Sequence, residues 1–239
     1  MLLQAALNGP WSKEDHPAMP VLAAELARDA VDCVAVGAGA VHLHPRDERG
    51  RERLDADVVD HVVTTVRHAC GVPVGVSTGA WIEESVEQRV ALLRSWSAPD
   101  FASVNVSEDG ALAVARALID AGVGIEAGVW TVEDAQKLGD WALGSALTRV
   151  LVEPVEVGRH DAVTCVQAIH DTLDRVGVHA PRLQHGDGEA TWVLIEDAVR
   201  RGVDTRVGLE DTRHQPDGVR TDGNVALVRA AARYVTGIA

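Results

Sequence analysis

The chain has 239 residues, 46% of them hydrophobic, enough to bury one large core. No stretch approaches the roughly 20 uninterrupted apolar residues of a membrane helix, and Met1-Leu2-Leu3-Gln4 lacks the basic, apolar opening of a secretory signal, so the expectation is a cytoplasmic protein without a membrane partner. A formal charge of −14, from 36 acidic against 22 basic side chains without a basic stripe, repels phosphate backbones and argues against nucleic acid.

Short apolar runs read as strands over 2–7, 40–44, 73–77, 101–105, 124–129, 148–153, 182–184 and 204–208. Helical patterns follow them at roughly 20–37, 55–69, 84–96, 110–121, 131–143, 161–176, 190–201 and 223–237. Acidic first turns at Asp161 and Thr131-Val132-Glu133-Asp134 mark helix starts, and Gly71, Gly122 and Gly202 fall where left-handed caps are wanted. Eight such units imply one α/β domain over residues 1–239, a parallel sheet closed into a (β/α)8 TIM barrel. The first strand runs into Asn8-Gly9-Pro10-Trp11, which is no dinucleotide fingerprint. Cys33, Cys70 and Cys165 are far apart and odd in number, as expected of reduced, mostly buried thiols.

In such a barrel the site gathers at the carboxyl ends of the strands. Strand two ends Val41-His42-Leu43-His44-Pro45-Arg46-Asp47, and a period of two points His42 and His44 the same way. Two converging imidazoles are half of a divalent metal site. Strand eight ends Arg206-Val207-Gly208-Leu209-Glu210-Asp211, so Glu210 projects toward the barrel mouth across the closing seam, within reach of the histidines. Two His and one carboxylate suit catalytic Zn2+, although Fe2+ or Mn2+ accept the same ligands. Arg206 and Asp211 form a feasible ion pair that keeps a carboxylate ionised as a base.

Strand three ends Val76-Ser77-Thr78-Gly79, strand four carries Ser103 and Asn105, strand five Glu126, strand six Glu153, and strand seven Gln184 before His185. Inward carboxylates in a barrel are costly unless paired or metal-bound, which gives Glu126 and Glu153 weight. Trp11 and Trp130, just past strand ends, are pocket candidates. His61, His68, His160, His170, His179 and His214 read as solvated, and Glu52–Asp57 and Glu83–Glu87 as solvated helix starts.

The motifs His42-Leu43-His44-Pro45-Arg46-Asp47, Val76-Ser77-Thr78-Gly79 and Arg206-Val207-Gly208-Leu209-Glu210-Asp211 resemble those of the β-keto acid cleavage enzyme family. The resemblance runs in order from the Asn8-Gly9 loop to the last helix. It implies a zinc-dependent barrel that exchanges a small-molecule β-keto acid with acetyl-CoA as co-substrate, giving acetoacetate and a CoA ester. It also implies Zn2+ on His42, His44 and Glu210, with Asp211 as the base, Arg206 orienting it, and Ser77 helping to bind or relay the substrate. Asn105, Ser103, Thr78, Gly79 and Glu126 form the implied substrate-binding set, and the implied assembly is a homo-oligomer, a dimer or tetramer. Three positions depart from the family pattern: Trp11 stands where the first loop carries a glutamate, for which Glu14 or Asp15 are the nearby acids, Ser103 replaces a threonine, and Ala80 replaces a glycine. The alternative on the same barrel is a metal-dependent hydrolase or aldolase that does not use CoA.

Overall fold

A computed structural model describes residues 1–237. Strands β1 (Leu3–Ala6), β2 (Ala40–Leu43), β3 (Val74–Ser77), β4 (Phe101–Asn105), β5 (Gly124–Val129), β6 (Leu147–Val152), β7 (Arg182–Gln184) and β8 (Asp204–Val207) pair in chain order as a closed barrel. Every neighbouring pair is parallel, and β8 closes on β1 with Arg206 beside Gln4. Helices α1 (Ala23–Ala35), α2 (Ala56–Cys70), α3 (Val86–Leu93), α4 (Ala111–Asp120), α5 (Val132–Asp140), α6 (Ala162–Arg175), α7 (Thr191–Arg201) and α8 (Asn224–Thr236) alternate with the strands, as the barrel reading requires.

Local chemistry explains the elements. Helix α2 buries Val59, Val62, Val63 and Val66, a stripe at helical spacing that packs on the sheet. Thr131 and Asp134 form a reciprocal capping box at the start of α5, and Ser85 accepts from the Gln88 N–H at the start of α3. Gly71, Gly122 and Gly202 all take positive φ after their helices, as expected. Helix α3 is shorter than the pattern over 84–96, because Ser85 caps it and Leu93 ends it. Helix α1 begins at Ala23 rather than 20, after Pro20, Val21 and Leu22 run extended or irregular into it and Glu25 accepts from the Val21 and Leu22 N–H groups.

The seam between β8 and β1 is tied by one buried side chain. Asn224 accepts from the Leu209 N–H at 2.6 Å and donates to the Leu7 carbonyl at 2.8 Å and to Asp29. Gly208 passes so close to β1 that a Cβ there would stand 1.7 Å from the Ala6 carbonyl oxygen, so only glycine lets the chain through. Together these fix where Glu210 and Asp211 emerge.

Inside the barrel Gln4 donates to Glu126 at 2.9 Å, and Arg149 reaches the same carboxylate oxygen at 3.1 Å. Of the predicted solvated histidines His170 is instead buried, because its ring reaches from α6 to Gln184 at 2.8 Å and Arg182 at 3.1 Å on β7. The other five are exposed. The cysteines are free, Cys33 buried and the other two half-buried.

Candidate active site

His42 lies on β2 and His44 one residue past its end, both buried on the side facing the barrel mouth. Their backbone is clamped by Asn8, which donates to the His44 carbonyl at 3.1 Å and accepts from the His44 N–H at 2.8 Å. Gly9, with φ of 52°, leaves the space that Glu210 fills: a Cβ there would stand 2.6 Å from Glu210 Cγ. The Asn8-Gly9 loop therefore positions both sides of the seam. Arg46 holds this loop from below, donating to the Gly9 and Trp11 carbonyls.

His42 Nε2 and His44 Nε2 stand 3.7 and 3.6 Å from Glu210 Oε1. All three donor atoms lie within 4.8 Å of one another. Donors bonded to one tetrahedral zinc at ~2.0–2.2 Å stand about 3.3–3.6 Å apart, so this donor set fits a single divalent ion. Glu210 Oε2 and His42 Nδ1 are buried with no protein partner. Burial holds the His42 imidazole down to about 3, so it is neutral and its lone pair is available. Burial also pushes His44 down, but Glu210 and Glu52 outweigh it and raise the ring to about 8. For Glu210 burial opposes ionisation, yet Arg206 and the two imidazoles hold its carboxyl well below the usual range.

Arg206 joins the donor set to its neighbour. One terminal nitrogen donates to Glu210 Oε1 at 3.0 Å and to Asp211 Oδ1 at 2.7 Å. Burial raises the Asp211 pKa, helped by the adjacent Glu210 charge and opposed by Arg206 and His185. The ion pair anchors this carboxylate without making it a weak base. Asp211 Oδ2 has no partner.

These groups line one cavity of about 220 Å3, which also takes Ser77, Ser103 and Asn105 in its wall. Trp11 and Trp130 line it as expected. Thr78, Gly79 and Glu126 do not line it. Thr78 donates to the Ser103 carbonyl at 2.7 Å, which ties β3 to β4. The Gly79 N–H donates to Ser77 Oγ at 3.2 Å, and the bare Gly79 Cα makes room for the Trp81 ring. Glu126 is sealed against Gln4 and Arg149, and burial lifts its carboxyl to about 7 against their pull. Neither Glu14 nor Asp15 lines the cavity: Asp15 is held by Ser12 and faces Arg213, while the Trp11 indole donates to the Glu210 carbonyl at 3.0 Å.

Two site groups escape the sequence reading, and a third, His185, takes the inward place expected of Gln184. Glu52 is no solvated helix start: it bonds His44 Nδ1 at 2.5 Å and accepts from the Trp81 indole at 3.2 Å. The Asp47 turn and the antiparallel Arg46–Glu52 bridge fold it back onto the histidine, and that turn was the available clue. Trp81 stacks on His44 with centroids 6.0 Å apart. Gln184 faces the helices, donating to the Leu194 carbonyl and Asp197, so strand alternation sends His185 inward instead. There His185 Nε2 meets Glu153 Oε2 at 2.6 Å.

A family model described as beta-keto acid cleavage enzyme matches residues 1–238. The 3-keto-5-aminohexanoate cleavage enzyme of Fusobacterium nucleatum subsp. nucleatum is 32% identical over 81 residues, 33% of this chain. That match spans only 30% of the relative's length. Among solved structures, apo ObcA superposes with a TM-score of 0.72 at 19% identity, covering 92% of this chain and 62% of ObcA. The binary complex of ObcA with oxaloacetate gives 0.70 at 18% identity, covering 92% and 64%. At these identities the structural likeness establishes the barrel alone. Among the described residues, no helix is long and apolar enough to cross a membrane.

Proposed function

The chain belongs to the β-keto acid cleavage enzyme family, and from that premise we propose that it exchanges acyl groups between a β-keto acid and acetyl-CoA with a zinc ion held by His42, His44 and Glu210. The observation that carries this reading is the convergence of three donor atoms, the two imidazole nitrogens at 3.6 and 3.7 Å from Glu210 Oε1, on a cavity that also holds an arginine-anchored acid. A metal bound there supplies Lewis-acid stabilisation of the oxyanion that builds as a carbon–carbon bond forms or breaks.

The rest of the chemistry falls to the chain's own groups. Asp211 takes the proton from the carbon between keto and carboxylate groups. Its raised pKa makes it a stronger base than an ordinary aspartate, closer to a working pH. Arg206 orients it through Oδ1, which leaves Oδ2 without a protein partner. Ser77, Ser103 and Asn105 bind substrate oxygens along the β3–β4 wall. Glu108 accepts from the Asn105 amide at 2.8 Å and fixes its orientation. Glu52 fixes the His44 ring through Nδ1, so that Nε2 faces Glu210. The wider expectations of the reading are a homo-oligomer working in the cytoplasm.

The test is a panel of β-keto acids, each incubated with and without acetyl-CoA. Acetoacetate and a CoA ester formed only with acetyl-CoA support acyl exchange; CoA-independent product identifies the hydrolase or aldolase alternative. Asp211→Asn should keep its metal and lose turnover by on the order of a hundredfold or more. Wild-type turnover in that variant rules Asp211 out as the base.

A further inference from the structure

The wall opposite the histidine pair carries a second set of side chains, three of them joined by hydrogen bonds and the fourth beside them. Trp130 follows β5, Glu153 follows β6, His185 follows β7 and Asp211 follows β8, so four consecutive strand ends contribute one residue each. Glu153 Oε1 accepts from the Trp130 indole at 2.9 Å, and Oε2 meets His185 Nε2 at 2.6 Å. With both carboxylate oxygens accepting, His185 donates to Glu153 through Nε2. Nδ1 is then turned toward Asp211 Oδ1, 3.8 Å away, and has no other partner.

Asp211 is thereby flanked on one oxygen. Arg206 donates to Oδ1 at 2.7 Å and the His185 ring edge stands behind the same atom. Both imidazole and carboxylate are buried, and the indole bond on Glu153 stops the dyad from swinging away. A side chain confined in this way loses little freedom on reaching a reactive geometry, whereas a small displacement costs rate.

We propose that His185, held by Glu153, is a positioning residue for Asp211 that fixes which carboxylate oxygen meets the substrate. The proposal rests on the acyl-exchange reading for the role of Asp211, and its test separates the two. In the zinc-loaded protein, His185→Gln should lower kcat by about tenfold to a hundredfold, with KM within about threefold and metal content unchanged. The nearly isosteric Glu153→Gln should give a comparable loss, and the double variant should lose little more than either single one, because the pair acts as a unit. Nitrogen-15 NMR of the imidazole should find the hydrogen of His185 on Nε2 in the wild type and a changed pattern in Glu153→Gln.

Full kcat in His185→Gln, multiplicative losses in the double variant, or no hydrogen on Nε2 in the wild type would overturn the proposal. A wild type inert toward every β-keto acid sinks the acyl-exchange reading instead, and the ring-nitrogen measurement then decides the dyad on its own.

Discussion

The barrel interior holds two buried acid–guanidinium clusters that differ in what surrounds them. Glu126 meets Arg149 and Gln4 and touches no cavity; Glu210 and Asp211 share Arg206 at the cavity wall. Glu126 feels the pull of Arg149, Gln4 and Arg206 against the neighbouring Glu153 charge, and burial wins, raising its carboxyl to about 7. Glu210 is also buried, but one guanidinium and two imidazoles outweigh that, and its carboxyl falls well below the usual range. Burial sets the cost of a charge, and the balance of neighbouring charges and hydrogen bonds decides whether it ionises. Glu126 with Arg149 fills the barrel, while Glu210 has the ionised carboxylate and convergent imidazoles that a cation needs.

The sharpest way to break this comparison is to neutralise each acid in turn. Glu210→Gln should weaken metal binding by on the order of a thousandfold, as expected when a charged ligand is removed, while Glu126→Gln leaves metal content unchanged by elemental analysis. Equal losses would erase the distinction. A smaller effect follows from the raised Glu126 carboxyl. Its folded value of about 7 lies above the usual 4.5, so the native state holds the proton more tightly than the unfolded chain. The resulting stability is complete below about pH 4.5 and is lost as pH climbs through 7, with a span of about 3 kcal/mol at most. Urea unfolding across that range should show the slope in the wild type and flatten it in Glu126→Gln. The smallest effect concerns the carboxylate behind the metal ligand. Glu52→Gln should loosen zinc by about 10- to 100-fold while the fold stays intact, because it frees the His44 ring rather than deleting a donor. Zinc affinity unchanged on titration would make Glu52 a surface acid after all.

How much of this was legible in the residues varies along the chain. Alternation within β2 pointed His42 and His44 the same way, and continuing it through β8 brought Glu210 to the mouth. The same rule could have exchanged Gln184 for His185, since adjacent strand residues face opposite sides. Glu52 lay further out of reach, because eight residues and a turn separate it from His44 in sequence. Glu126 read as a pocket acid because its inward direction was visible while its depth was not.

The eight-fold alternation of strand and helix, with its caps, was written in hydrophobic period and turn chemistry, which are local and survive in a linear reading. Contacts between strand ends belong to no local pattern. The stagger of the closed barrel set the Glu153–His185 bond and the depth of Glu126, and brought His42 and Glu210, distant in the chain, to within 3.7 Å.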